Sequence, residues 1–307
     1  MRDRLAAASA AGLLAALGHV PFPVALRMGA ALGGSWARLA GPRTRDALIN
    51  LRIAFPEWRE VERRRVLLRA FENMGRSLAE FAWIGRWSEA ELRGRVGIRG
   101  REHLDAALAA SGGRGIVVLT GHFGSFELLA AAMVAHGFPV AVVHRSRENP
   151  LLDELLSQRR MAGGAKLFAR GNAARGVLRA LREGRFLALP YDQNCRRREG
   201  VFVPFFGRLA CARAAPPRIA MKSGAPVLPV FLHRQADPLQ HEAVVRPAVE
   251  MVSTGDLAAD LRENARRMTE ALESEIRAAP EQWVWVHRRW RTQPPGEPRP
   301  YPGKRWR

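Results

Sequence analysis

Two residues able to move a proton, His122 and Glu127, stand five positions apart in the segment Gly115-Ile-Val-Val-Leu-Thr-Gly-His-Phe-Gly-Ser-Phe-Glu-Leu-Leu-Ala130. The apolar run Ile116 to Thr120 predicts a buried strand, and the Ala- and Leu-rich stretch Ser125 to His136 predicts a helix. Within one continuous helix, residues five apart point away from each other, because neighbours on a face are three or four apart. With His122 on the strand-to-helix turn and Glu127 one turn into the helix, both can face a cavity at the strand's C-terminal end. That is where open α/β sheets bind their ligands. His122 is then the candidate general base, and a carboxylate on its far nitrogen fixes the tautomer and stabilises the imidazolium. Backbone N–H groups around Gly124 and Ser125, at the start of the helix, are candidate oxyanion donors. A His-x4-Glu pair by itself also fits a loop histidine beside a solvated helix residue. The glycine-flanked strand end and three further blocks downstream favour the site.

Each of those blocks follows a predicted strand. Arg145 lies just past the strand 139–143, and Arg170 just past the strand 165–169, where an arginine can clamp a phosphate or carboxylate. With 46 arginines among the 49 basic residues, either one alone also fits an ordinary surface position. Asp192, Gln193 and Asn194 follow the buried run Phe186 to Leu189. Asp192 can accept an arginine or orient a substrate hydroxyl, and either amide can donate to a carbonyl. Val201 to Phe206 is apolar and largely aromatic, with Phe205 and Phe206 at its end. Two readings stand side by side there: a loop against which an acyl chain lies, or a strand in the core. Cys195 and Cys211 have no base near them in sequence, and no Gly-x-Ser-x-Gly elbow surrounds Ser125, so direct transfer is expected over a covalent intermediate.

The elements that must position these residues alternate. Strands at 139–143, 165–169, 186–189 and 226–232 are separated by helices at 151–161, 173–182 and a segment ending near Ser223. Such alternation predicts one α/β domain over 41–292, with a mostly parallel mixed sheet flanked by helices. Leu67, Phe71, Met74, Leu78 and Phe81 mark an amphipathic helix before the sheet, and Leu257 to Ile276 mark another that closes the domain. Residues 293–307 form a basic, Pro-rich tail expected to be extended. Residues 1–40 open with the run Leu5 to Val20, which has 16 residues, short of the ~20 that span a bilayer. No small-residue cleavage site follows it, so a retained, membrane-contacting helix is favoured over a secretory signal, with an ordinary buried helix as the other reading.

The 307 residues carry a net charge of +20, which favours anionic partners: a phospholipid surface, an acidic carrier protein, a phosphorylated lipid or nucleic acid. No nucleic-acid motif is present. Two cysteines without a Cys-x-x-Cys, and scattered histidines, make a structural metal site improbable and fit a reducing compartment.

Taken in order, His122-x4-Glu127, Arg170, Asp192-Gln193-Asn194, Phe205-Phe206-Gly207 and Gly224-Ala-Pro-Val-Leu-Pro229 resemble the lipid A biosynthesis (late) acyltransferase family. That family lies within the glycerolipid acyltransferase superfamily, whose hallmark is His-x4-Asp/Glu. The resemblance extends to Asn50-Leu51, Phe55-Pro-Glu57 and Pro280-Glu-Gln-Trp-Val-Trp-Val-His-Arg-Arg289. It implies a glycerolipid-acyltransferase-like fold at the cytoplasmic face of the inner membrane, in contact with anionic lipid. It implies transfer of an acyl chain from acyl carrier protein, or from acyl-CoA, to a hydroxyl of a lipid A precursor. No cofactor or metal is implied. His122 takes the role of base, Glu127 completes a dyad, and Arg170 matches the superfamily's phosphate contact. The glycerolipid Phe-Pro-Glu-Gly block is replaced by Pro190-Tyr-Asp-Gln193, which argues against a simple glycerol phosphate acceptor. A different glycolipid, such as a phosphoinositide mannoside, is the alternative acceptor.

Overall fold

The computed structural model describes residues 2–39, 41–144, 149–169 and 173–302. Four helices come first: α1 (Arg2–His19), α2 (Phe22–Leu39), α3 (Gly41–Ala54) and α4 (Glu60–Trp83). The α/β unit follows as α5 (Glu89–Arg95), β1 (Val96–Arg99), α6 (Arg101–Ser111), β2 (Ile116–Thr120), α7 (Phe126–Ala135), β3 (Val140–His144), α8 (Pro150–Ala162), β4 (Lys166–Ala169), α9 (Ala173–Arg182) and β5 (Phe186–Pro190). Then come β6 (Gly200–Phe205), β7 (Arg208–Arg213), α10 (Ala215–Ser223), β8 (Val227–Arg234), β9 (His241–Val245) and α11 (Leu257–Ala278).

Seven strands form one sheet in the order β1-β9-β8-β2-β5-β3-β4, and β6 pairs only with β7. Strands β8, β2, β5, β3 and β4 run parallel, while β9 is antiparallel to β8 and parallel to β1. The fold is therefore α/β with a mostly parallel mixed sheet. Side chains alternate between faces along each strand. In β2, Ile116 and Val118 enter the core beneath α4 and α7, whereas Val117 and Leu119 enter the one beneath α9, α10 and α11. A third, aromatic cluster joins Phe55, Phe71, Phe123, Phe205, Trp283 and Trp290.

Of the two readings of residues 201–206, the core strand holds. Val201 to Phe206 is the core strand β6 and its turn. Phe205 is fully buried and Phe206 nearly so, because the hairpin's inner side packs on Trp283, Trp285 and Trp290. Phe205 pairs with Arg208 across a two-residue loop whose members, Phe206 and Gly207, both have positive φ, as a type I′ turn requires. The strain at Phe206 is offset by its N–H donating to Glu273 Oε2 at 2.6 Å and by the Arg277 guanidinium 4.4 Å over its ring. Both phenylalanines thus belong to the core and leave no ring free to line a substrate path. Among the described residues, 294–302 contain no helix or strand, yet they fold back: the Tyr301 hydroxyl donates to Asn50 Oδ1 and accepts from the Trp290 N–H. At the other end, α1 buries Leu14 and Leu17 while Leu5 and Leu13 stay exposed. No helix among the described residues is long and apolar enough to cross a membrane.

Candidate active site

Parallel register brings together two residues 70 apart in the chain. Thr120, the last residue of β2, stands opposite Pro190, the last of β5. Two positions farther along each strand lie His122 and Asp192. The Asp192 carboxylate is bound three times: Oδ1 contacts His122 Nδ1 at 2.8 Å, and Oδ2 accepts the His122 backbone N–H at 2.8 Å and the Trp283 indole N–H at 2.9 Å. Gly121 leaves the space for this approach. A Cβ there would stand 2.8 Å from Leu272 Cδ1 and 3.5 Å from the carboxylate.

The turn that carries His122 is fixed from behind by a C-terminal segment. Phe123 bridges Trp283 in antiparallel fashion, the Val284 N–H donates to the His122 carbonyl, and the Gly124 N–H donates to the Gln282 carbonyl. Gly124 has φ +54°, and a Cβ on it would lie 1.8 Å from the Leu232 carbonyl oxygen, so only glycine fits. Because its N–H is already bound to Gln282, Gly124 offers no oxyanion donor. Ser125 caps α7, with its hydroxyl buried and without a partner. The first turn of α7, whose N–H groups lack helical acceptors, begins beside the imidazole, with the Phe126 ring 4.7 Å from it.

The carboxylate on the imidazole is therefore that of Asp192, where the His-x4-Glu spacing predicts Glu127. Glu127 is engaged elsewhere: Arg160, on α8, grips it bidentately, Nη2 to Oε1 at 2.5 Å and Nε to Oε2 at 2.8 Å. Helix geometry explains the outcome. Glu127 lies in the first turn of α7 facing α8, while Asp192 leaves the neighbouring strand at the level of the turn. Asp192 is consequently placed to orient the imidazole, with both carboxylate oxygens bound to protein groups. Glu127 still lies within electrostatic reach of the ring.

Charge follows from this packing. Burial of His122 disfavours its protonated form, but the Asp192 carboxylate, helped by Glu127, outweighs burial and raises the imidazole pKa above its ordinary value. Burial also disfavours the Asp192 anion. The His122 and Trp283 contacts prevail, and the carboxyl is held well below the usual range. With the carboxylate at Nδ1, that nitrogen carries the proton and Nε2 is the free base. Nε2 faces the exposed Gln193, whose amide nitrogen is 3.2 Å away. About a quarter of the His122 side chain reaches solvent. The fully buried Arg289 donates to the Cys211 carbonyl and places a positive charge within reach of Asp192.

Asn194 has a supporting role, since both ends of its amide are bound to Thr292. Its backbone N–H donates to His287 Nε2 at 2.9 Å, and burial pushes the His287 pKa down to about 4. Because the folded state holds this ring neutral while the unfolded chain protonates it near 6.5, the unfolded state binds the extra proton between pH 6.5 and 4. Stability is accordingly expected to fall by roughly 3 kcal/mol as pH drops through that window. Chemical denaturation at a series of pH values should show the slope, and His287→Gln should flatten it.

Arg145 and Arg170 lie outside the described residues. The functional side chains that spacing did not single out are Arg160, Trp283 and His287. Arg160 is one arginine among 46. Trp283 and His287 stand in the quoted 280–289 block, but their partners are too distant in sequence for spacing to pair them.

Known proteins resemble the chain over nearly its whole length. The family described as bacterial lipid A biosynthesis acyltransferase matches residues 5–292. The lipid A biosynthesis lauroyltransferase of Escherichia coli (strain K12) is 30% identical over 291 residues, covering 94% of this chain and 92% of that one. The palmitoleoyltransferase of the same organism is 29% identical over 280 residues, covering 91% and 89%. A lipid A biosynthesis acyltransferase of Haemophilus influenzae is 28% identical over 281 residues, covering 92% and 86%. A proton acceptor held by a carboxylate at the C-terminal edge of a parallel sheet, together with matches spanning nearly the whole sequence, leads to one conclusion: the chain belongs to the bacterial lipid A biosynthesis acyltransferase family.

Proposed function

We propose that this acyltransferase moves a fatty acyl chain from acyl carrier protein to a hydroxyl of a lipid A precursor, at the cytoplasmic face of the inner membrane. The observation that carries the chemistry is the Asp192–His122 contact, which leaves Nε2 basic and facing the amide of the exposed Gln193. The acceptor hydroxyl displaces the Gln193 amide from Nε2 and gives its proton to that nitrogen as its oxygen attacks the thioester carbonyl. The carbonyl oxygen becomes an oxyanion, stabilised by the N–H groups at the start of α7, from Ser125 onward. Collapse breaks the carbon–sulfur bond, and the imidazolium returns its proton to the leaving thiolate. The products are an ester and a thiol, with no acyl-enzyme.

Glu127 completes the machinery through charge. Held by Arg160, whose positive charge opposes it in part, it adds a second negative potential at the ring and raises its basicity. Arg170 is assigned to an anionic group of the substrate, as the family resemblance implies, and Arg145 to a second one on its place just past a strand end in the sequence. The net charge of +20 suits both an acidic carrier and an anionic lipid surface. The exposed apolar residues of α1 and α2 suit a helix pair lying in the bilayer interface. No metal or cofactor is needed for any step.

The test is transfer by the purified protein, followed by mass spectrometry of the acceptor. A lipid A precursor is expected to gain one ester-linked acyl chain, at least tenfold faster from acyl carrier protein than from acyl-CoA. Absence of transfer from either donor, or a preference for glycerol phosphate as acceptor, overturns the reading.

A further inference from the structure

Helices α2 and α4 cross in backbone contact. An ideal Cβ on Gly33 would lie 2.0 Å from the Phe71 carbonyl oxygen, and one on Gly75 would lie 1.9 Å from that of Gly29. Small residues at a crossing let two helix backbones touch. Here they also leave a groove of about 390 Å³ between α1, α2 and α4. Gly33 and Gly75 form its floor, and Leu13, Leu32, Trp36, Met74 and Leu78 form its walls. Apart from the Trp36 indole N–H and the weakly accepting Met74 sulfur, the side chains of that lining are hydrocarbon, so the occupant that suits it is hydrocarbon.

The geometry points to this groove as the seat of one acyl chain of a bilayer lipid, drawn from the membrane on which α1 and α2 lie. Two observations favour lipid over a protein partner. A protein interface has a polar rim around its apolar centre, whereas α1 carries no charged residue from Leu5 to Gly18, although much of that stretch is exposed. Hydrocarbon can thus cover groove and surroundings together. Three basic residues stand together at one end: Arg38, Arg43 and Arg45 are exposed near the end of α2 and the start of α3, with Arg27 exposed farther back on α2, and the Arg43 guanidinium lies 5.7 Å over the Trp36 ring. Tryptophan beside arginine is what the headgroup level of an anionic leaflet favours. A chain in the groove with its headgroup among these arginines satisfies both ends of a lipid.

This inference rests on the membrane-surface part of the proposed function and is independent of the acyl-transfer reaction. Two measurements on the full-length protein separate them. Flotation with vesicles of phosphatidylethanolamine and phosphatidylglycerol reads the surface. Titration with the fluorescent fatty acid cis-parinaric acid, followed by energy transfer from tryptophan, reads the groove. Leu32, on the exposed wall, is replaced by tryptophan to fill the space, and Leu13→Trp fills it from the opposite side. Each variant is expected to keep flotation and the thermal midpoint of the wild type, and to bind cis-parinaric acid at least tenfold more weakly. Undiminished affinity in both variants places the chain elsewhere and overturns the groove. So does a change in oligomeric state on filling it, which would mean that a second copy occupies the site. Failure of the wild-type protein to float removes the membrane surface and the inference with it. Loss of acyl transfer alone changes neither measurement.

Discussion

His122→Ala is expected to slow acyl transfer by about 10³- to 10⁴-fold while the protein stays folded, which corresponds to ~4–5 kcal/mol of transition-state stabilisation. The ring contributes one side-chain hydrogen bond to Asp192 and a partly exposed face, so little packing is lost with it. The backbone N–H of residue 122 still donates to the carboxylate, and the bridge to Trp283 remains. Single-turnover transfer from acyl carrier protein, measured beside a thermal melt, checks both halves. Turnover close to that of wild type would remove His122 from the role of base.

Asp192→Asn is expected to cost a comparable factor, on the order of 10³–10⁴, by a different route. An amide nitrogen at Nδ1 donates where the carboxylate accepts, so the imidazole turns to the wrong tautomer and Nε2 carries the proton. The pH profile identifies the mechanism. His122 acts only when neutral, and its raised pKa places the acid limb of kcat/KM above the ordinary histidine value, with activity lost as pH falls through it. Removing the Asp192 charge takes away the principal cause of that rise while burial persists, so the limb moves to lower pH. Glu127→Gln also lowers the rate, by at least tenfold, but leaves the Nδ1 contact and the tautomer in place. An unmoved acid limb in Asp192→Asn would mean that another group titrates.

The buried Asp192 also contributes to stability with a definite sign. Its folded pKa is depressed, so its contribution is present above the unfolded value of ~3.9 and is lost as pH falls below it. His122 runs the other way. Its contribution is complete below ~6.5 and disappears as pH rises through its raised folded value. The two partners are thus best matched over the mildly acidic range, where both are charged.

The sequence by itself determined the α/β architecture, because strands such as Ile116–Thr120 and Phe186–Pro190 are short apolar runs bounded by Gly and Pro, and helices such as Ala173–Arg182 show their period. It also determined the turn that carries His122, since a buried strand ending at Gly121 leaves the next residues at the sheet's edge. Family membership was legible in the joint order of the blocks. The weaker strands Val96–Arg99 and His241–Val245 escaped, being short and held in place by pairing at one side of the sheet.

Only the tertiary structure decided which acid serves the base. Glu127 is near His122 along the chain, but local spacing fixes only where a side chain starts from. Asp192, 70 residues away, reaches Nδ1 because β2 and β5 are hydrogen-bonded in parallel register, and Trp283 joins them through the bridge to Phe123. The same holds for Phe205 and Phe206, whose run fits an exposed loop and a core strand equally until Trp283, Trp285 and Trp290 cover them. Contacts between residues distant in sequence depend on which elements become neighbours, and hydrophobic periodicity carries no record of that choice.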